Sequence, residues 1–389
     1  MRTNVAVDEA INKDYMPVLS LRAYDVSYAS GYCRELTRNA AKDITADYID
    51  MNSIHYEVSQ ISGDYFEPGA VIPAKLSLRV LPGHGLTLEE SPAPQSPADY
   101  SVVYRPVIQY MRPNGTVYTT VTTFPYLIIV SRTSDYDGET IKLNLQDELC
   151  VLDNVQIDAA SYNGETGTTL ISAAMTAAGL AGPKQSGGSS SGITGTSLPT
   201  KIYYSGEEMS CRQAISYVLQ MNGCFAIMNE NGALNIKRMM DNATDGGNWP
   251  YVFDAELSAD YVMDYYVGEY EPNKRRWTNV RVFPSDVTPA KGNFPRTYIL
   301  KDNPFIAEGN AGTYEALLRN RIIKELSFTG AEFEYRFNTN IELGDYVLAR
   351  YYQSPNTTNA RDLLVSRIEW DGGAFCKLRG PDFKVNNRT

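Results

Sequence analysis

Enzyme chemistry needs nucleophiles, proton carriers or metal ligands gathered in one place, and this chain is poor in the residue types that supply them. It has two histidines, His55 and His84. A Ser-His-Asp relay needs a ring between nucleophile and acid, and a His-rich zinc site needs several rings. His55 falls in a strand-like run and His84 in a glycine-bracketed loop, so both read as structural residues. Five cysteines (Cys33, Cys150, Cys211, Cys224 and Cys376) are scattered, odd in number and never paired as Cys-x-x-Cys. That spacing argues against a disulfide framework or a zinc ribbon and suits a reducing cytoplasm.

Other arrangements match chemistry by letters only. Gly188-Ser-Ser-Ser-Gly192 has the Gly-x-Ser-x-Gly spelling of a nucleophile elbow. An elbow needs a strand before it and a helix after it, to hold the serine on a strained turn. Pro183-Lys-Gln-Ser and Ile193-Thr-Gly supply neither, and Gln185–Gly192 reads as a flexible Gly/Ser linker. Asp135-Tyr-Asp-Gly-Glu139 begins like a calcium loop, but its glycine is early and Gln146 stands where the bidentate glutamate should be. A hairpin turn at Asp137-Gly138 is the simpler reading.

Lys274-Arg-Arg-Trp277 is the one basic cluster beside an aromatic, a combination that could stack on and neutralise a nucleic-acid strand. Glu269, Glu271 and Pro272-Asn273 precede it, which fits a charge-paired hairpin better. Acids are plentiful, yet no pair stands out as the two carboxylates of a glycosidase. Asn114-Gly-Thr116 and Asn356-Thr-Thr358 spell glycosylation sequons, uninformative without a secretion signal. The sequence thus predicts no catalytic, cofactor or metal site and no enzymatic activity.

Composition narrows the class. The 389 residues are 43% hydrophobic and 21% charged, which suits a folded soluble protein of roughly two to three domains. The net charge of −11 makes a poor wrapper of nucleic acid or anionic membrane. Met1–Asp8 lacks the apolar core of a signal peptide, and the greasiest run, Phe124–Val130, falls far short of the ~20 residues of a membrane helix. No membrane embedding is expected. Tyrosines number 28 against 12 phenylalanines and 3 tryptophans. Tyr favours strands and half-wet surfaces, so the chain reads as β-rich with extensive interfaces.

Period-two alternation places Ile54, Tyr56 and Val58 on one strand face and Leu76, Leu78 and Val80 on another. Val117–Val130 predicts strand pairing around a kink at Pro125, and Pro82–Gly85 and Ser91–Pro97 predict loops. Leu127–Ser131 and Thr140–Leu145 predict a hairpin, followed by a short helix from Asp147 to about Asp153. Thr168–Ala178 predicts a small helix ended by Gly179. The clearest unit is Ser210–Arg238. Ser210 and Gln213 form a capping box, Ala214, Ile215, Val218 and Leu219 an apolar stripe, and Asn222-Gly223 a left-handed stop. Strand Cys224–Met228, turn Asn229–Gly232 and strand Ala233–Lys237 follow. Further on, Ala311–Leu326 predicts an amphipathic helix with Leu317, Leu318, Ile322 and Leu326 inward. Val347–Tyr352, Leu363–Trp370 and Phe375–Leu378 predict closing strands, with a turn at Asp371-Gly-Gly373. One short echo links the halves: Phe66-Glu-Pro-Gly-Ala-Val71 and Ile341-Glu-Leu-Gly-Asp-Tyr-Val347 both place Glu-x-Gly before a strand.

In this order the elements resemble the baseplate and tail-tip hub family of phage tails, phage-like bacteriocins and contractile injection systems. Ile54–Val58 through Phe66–Val80 is similar to that family's first barrel. Glu139–Leu149 is similar to its strand running into an Asp-x-Leu helix. Met209–Lys237 resembles the helix-plus-hairpin between its barrels, and Ile341–Leu348 the Gly-Asp strand of its second barrel. The resemblance implies an α+β, mostly β fold with two barrel-like tube domains, a helix-plus-hairpin insertion and a second amphipathic helix. The implied division is 1–132, 133–250 and 251–389, each part not necessarily continuous in sequence. It implies a structural homotrimer whose pseudo-sixfold ring adapts a hexameric tail tube to a threefold spike or fibre. Expected partners are the tail tube or distal tail protein, the spike or fibre protein and the tape-measure protein. DNA could pass through the lumen without specific binding. The expected location is the tail of a virion or phage-like particle assembled in the bacterial cytoplasm. Some members carry a lytic or receptor-binding extension, and the short stretch after Leu378 speaks against one here. The other class considered is a carbohydrate-binding or carbohydrate-active β protein, suggested by the Tyr content and acidity and opposed by the scarcity of Trp.

Overall fold

The computed structural model describes residues 4–29, 33–61, 68–84, 100–134, 140–180, 193–195, 197–238, 252–257, 262–267, 279–284, 297–320, 330–354 and 357–380. The readings at Ser91–Pro97, 135–139, Gln185–Gly192, Lys274–Trp277 and Asn356 lie outside them.

After α1 (Val5–Asn12), the first part of the chain is mostly strand, with two 3-10 turns, Ala40–Lys42 and Ala46–Tyr48, between β2 and β3: β1 (Met16–Ala29), β2 (Cys33–Arg38), β3 (Ile49–Ser59) and β4 (Lys75–Val80). Then come β5 (Val102–Met111), β6 (Val117–Val121), β7 (Leu127–Ser134) and β8 (Ile141–Asp147). The alternation in β4 is resolved by burial. Leu76, Leu78 and Val80 are each 1% exposed, while Lys75 and Arg79 face solvent. A 3-10 helix, Glu148–Asp153, follows β8 where a short helix is predicted, and the Asp147 carboxylate caps it through Leu149 N–H at 2.9 Å.

The middle part holds β9 (Gln156–Ile157), α2 (Gly167–Ala177), β10 (Ile193–Gly195), β11 (Met209–Ser210), α3 (Cys211–Asn222), β12 (Cys224–Met228) and β13 (Leu234–Arg238). The last part holds β14 (Val252–Leu257), β15 (Val262–Val267), β16 (Asn279–Pro284), β17 (Thr297–Asn303) and α4 (Ala311–Leu318). It closes with β18 (Ala331–Arg336), β19 (Tyr346–Ser354), β20 (Thr357–Leu364), β21 (Arg367–Trp370) and β22 (Phe375–Arg379). The fold is α+β, mostly β. Of the predicted helix Ala311–Leu326, α4 covers Ala311–Leu318, with Tyr314 and Leu318 buried, and residues 321–326 fall outside the described set.

One sheet dominates, with strand order β15-β18-β22-β21-β3-β4-β8-β7-β5-β1-β2 and β6 beside β5. Its pivotal pairing is β21 with β3, which sets Ile368 opposite Val58 and Trp370 opposite Tyr56 across more than three hundred residues of chain. Here the structure corrects an expectation. Among the described residues the pairings form one open path and no closed barrel. Closing a barrel uses up both edges of its sheet. The edge of β3 is instead given to β21, so that Trp370 (1% exposed) and Tyr56 (7%) are buried together. Leu363–Trp370, predicted as one strand, is also split. β20 pairs with β19 in a small sheet and β21 joins the large one. Between them Ser366 O accepts the Gln60 N–H at 2.9 Å, so the chain changes sheet at that bond.

The two ends of the chain share a core as well as a sheet. Phe337 stacks on Trp370 with ring centroids 4.3 Å apart and planes 8° apart. Tyr110 of β5, 1% exposed, donates its hydroxyl to Phe337 O at 3.0 Å. Truncating one such buried aromatic costs about 3–5 kcal/mol in comparable cores.

Candidate functional site

The helix–hairpin unit α3–β12–β13 is where all three parts of the chain meet. Its helix starts as the spacing predicts. Ser210 Oγ accepts from Gln213 N–H at 3.2 Å, and Gln213 Oε1 accepts from Ser210 N–H at 3.3 Å, so two otherwise unpaired amides are covered. Ala214, Ile215, Val218 and Leu219 are fully buried along one side. The helix stops at Gly223, with φ +60° and ψ +40°, a left-handed conformation that a Cβ makes costly. The next residue opens β12. Arg212 fastens the helix to its surroundings, pairing with Asp153 Oδ1 at 2.6 Å and donating to the carbonyls of Leu149 (2.6 Å) and Val71.

Two glycine turns, one from each half, close on this unit. They are the two segments whose sequences echo one another. Gly69, at φ +95°, donates its N–H to Cys224 O at 2.8 Å, and Ala70 O accepts from Ala226 N–H at 3.0 Å. An added Cβ at Gly69 would lie 2.9 Å from the backbone oxygen of Ser216, so only glycine lets the turn approach α3. On the other side Gly344, at φ +83°, lies against the hairpin. A Cβ there would sit 2.8 Å from Phe225 Cζ.

The second turn also carries charge. Lys237 Nζ of β13 pairs with Glu342 Oε2 at 2.8 Å and donates to Leu343 O at 3.0 Å. Asp345 Oδ2 accepts from Glu342 N–H at 2.7 Å, which closes the turn on itself. Burial pushes the Asp345 carboxyl up to about 6, with Lys237 pulling the other way. Close by, the turn Asn338–Asn340 is buried although polar. Asn340 accepts from Asn4 N–H at 3.2 Å and donates to Asn4 O at 3.2 Å, and it reaches Asp8 Oδ1 at 3.0 Å, which pins α1. A cavity of about 70 Å³ lined in part by Met228, Phe337, Thr339 and Leu343 lies at the same junction.

The residues singled out as chemical candidates do not converge on this junction. His55 stands on the outer face of β3, its Nδ1 2.7 Å from Asp371 Oδ1. His84 lies beyond β4, its Nε2 2.7 Å from Asp43 O and its ring edge-on to Tyr48. Cys150, Cys211, Cys224 and Cys376 are free thiols, and burial pushes Cys150 and Cys376 up to about 12 and Cys211 to about 11. Such thiols are protonated at neutral pH and are weak nucleophiles. Asn114 caps its own hairpin turn, accepting from Thr116 N–H at 3.1 Å. Among the described residues no group of three or more His, Cys, Asp or Glu is placed to hold a metal. What the sequence did not mark is the Lys237–Glu342–Asp345 trio and the buried Asn338–Asn340 turn. The one signal for them was the repeated Glu-x-Gly.

No protein-family model matches the chain, and no curated protein matches it by sequence. Solved structures do. The 43 kDa tail protein of prophage MuSo2 from Shewanella oneidensis is 13% identical with a TM-score of 0.45, over 92% of this chain and 96% of that one. A chain of the phage P2 baseplate in its activated conformation with Ca is 11% identical with a TM-score of 0.33, over 93% and 98%. The tail protein from Neisseria meningitidis MC58 is 9% identical with a TM-score of 0.50, over 93% of this chain and 96% of that one. The tail-protein resemblance read from the order of the elements is therefore matched by the fold of a solved tail protein along nearly the whole chain.

Proposed function

We propose that this chain is a structural component of the tail of a phage or phage-like particle, the hub of its baseplate or tail tip. The observation that supports it most directly is the fold shared with the Neisseria tail protein over 93% of the chain. In this reading three copies close into a ring, because a closed assembly leaves no complementary surface open to run on into fibres. Residues 1–132 and 251–389 serve as the two tube-like parts, and 133–250, with the helix–hairpin unit, braces them. The ring adapts a hexameric tube to a threefold spike or fibre, contacts the tape-measure protein, and leaves a passage for DNA without binding it specifically. The role needs no catalysis.

Light scattering and native mass spectrometry of the purified chain, alone and with co-expressed tail proteins, test this reading. A trimer, or trimer formation on tail assembly, is expected. A monodisperse monomer in both settings would refute the ring. Release of reducing sugar from cell-wall or plant glycans, or micromolar binding to them, would refute the purely structural role.

A further inference from the structure

Arg22 of β1 and Arg105 of β5 stand directly opposite each other in the large sheet. Side chains so placed share one face at about 5 Å, where like charges repel. Both residues are half-buried. Arg105 lies over the Tyr126 ring, 5.4 Å from its centroid, and Tyr126 meets Tyr24 edge-on at 5.3 Å. These rings are 1% and 8% exposed, so they fix the plane of the guanidinium but bring it no counter-charge. Arg105 Nε is buried without a hydrogen-bond partner. The acids of this corner are already engaged. Asp43, brought beside β1 by the Leu21–Ile44 pairing, is held by Arg38 through both oxygens and accepts from Ala23 N–H at 2.8 Å. Asp25 is held by Lys42 and Asn39. Among the described residues neither Arg22 nor Arg105 has a carboxylate of its own.

We propose that Arg22 and Arg105 anchor carboxylates of a second copy of this chain where neighbouring copies of the ring touch. The inference rests on the ring reading above. Charge favours this occupant. Each copy carries −11, so copies repel one another unless cations are set where they meet. Guanidiniums with no counter-ion inside the chain grip carboxylates through two parallel bonds each. A nucleic-acid strand fits less well, because its binding grows with the number of phosphates neutralised, and two cations on an acidic chain neutralise few. Cations on one copy meeting acids elsewhere on the next make a head-to-tail contact, the kind that closes into a ring.

The test compares trimer dissociation, by native mass spectrometry and light scattering, for the full chain and for the double variant Arg22→Gln with Arg105→Gln. The variant's trimer should dissociate at least about tenfold more readily, the loss of one or more charged hydrogen bonds. Lys142→Gln with Lys201→Gln removes the same charge from two exposed positions and should have little effect. Equal trimers from wild type and the arginine variant, or an equal loss in the lysine control, would overturn the site and leave the ring standing. A wild-type chain that stays monomeric alone and with co-expressed tail proteins would overturn both. Wild-type binding to single-stranded DNA that the arginine variant loses, with trimers unchanged, would assign the pair to nucleic acid instead. A second measurement keeps the charges in place. In Arg22→Lys and Arg105→Lys, a zero-length carbodiimide cross-linker should join the introduced amines to Asp or Glu of another copy. Mixed light and 15N-labelled chains identify such links by mass spectrometry. Cross-links confined to single chains would also overturn the proposal.

Discussion

Replacing Gly344 with alanine loads the joint where its clearance is smallest, and two costs add. At φ +83° an L side chain pays about 1–2 kcal/mol for the left-handed backbone alone. The new methyl would also stand 2.8 Å from Phe225 Cζ and 3.2 Å from Cε1. Phe225 is fully buried, so its ring has no solvent to swing into, and overpacking of this kind costs about 1–3 kcal/mol. Gly344→Ala should therefore cost about 2–5 kcal/mol, a large share of the ~5–15 kcal/mol that holds a domain folded. Gly115 is an internal control. It has nearly the same backbone, φ +79°, but nothing within 4 Å of an added Cβ, so Gly115→Ala should cost only the backbone part. Urea denaturation followed by far-UV circular dichroism separates the two, provided the slope is unchanged. Phe225→Leu removes the atoms that clash, so combined with Gly344→Ala it should recover part of the loss in a double-mutant cycle. If Gly344→Ala is no worse than Gly115→Ala, or if Phe225→Leu recovers nothing, the turn does not rest on that ring.

Gly223→Val should cost more than the ~1 kcal/mol of an ordinary propensity change, because a stiff β-branched residue is forced into the left-handed region. It should also impair assembly before secondary structure, and an unchanged melting temperature with normal incorporation into particles would count against it. Tyr110→Phe removes the 3.0 Å bond to Phe337 O and leaves a buried carbonyl short of a donor, for a loss of about 1–2 kcal/mol by urea titration. That loss should be independent of pH around neutrality, because burial raises the Tyr110 hydroxyl above its ordinary range.

Much of the local structure was legible in the residues themselves. The Ser210–Gln213 box, the stripe from Ala214 to Leu219 and the stop at Gly223 rest on contacts within three or four residues or on one residue's own φ, so spacing alone determines them. The hairpin turn at Asn229–Gly232 and the inward side of β4 follow in the same way from turn chemistry and period-two alternation. What lay beyond the sequence was decided across long distances. Alternation says that Tyr56 and Trp370 face inward, but not that they face each other, because every strand with one apolar side satisfies the pattern equally. Only the tertiary structure chose β21 as the neighbour of β3, and with it an open sheet shared by both ends of the chain. The same holds for the joint. The repeated Glu-x-Gly was visible as letters, yet a glycine shows no reason for its presence until Phe225 and Ser216 occupy the space its side chain would need. Asp345 is an ordinary acid by sequence. Its environment exists only once Lys237, more than a hundred positions earlier, is brought beside it and the water is removed.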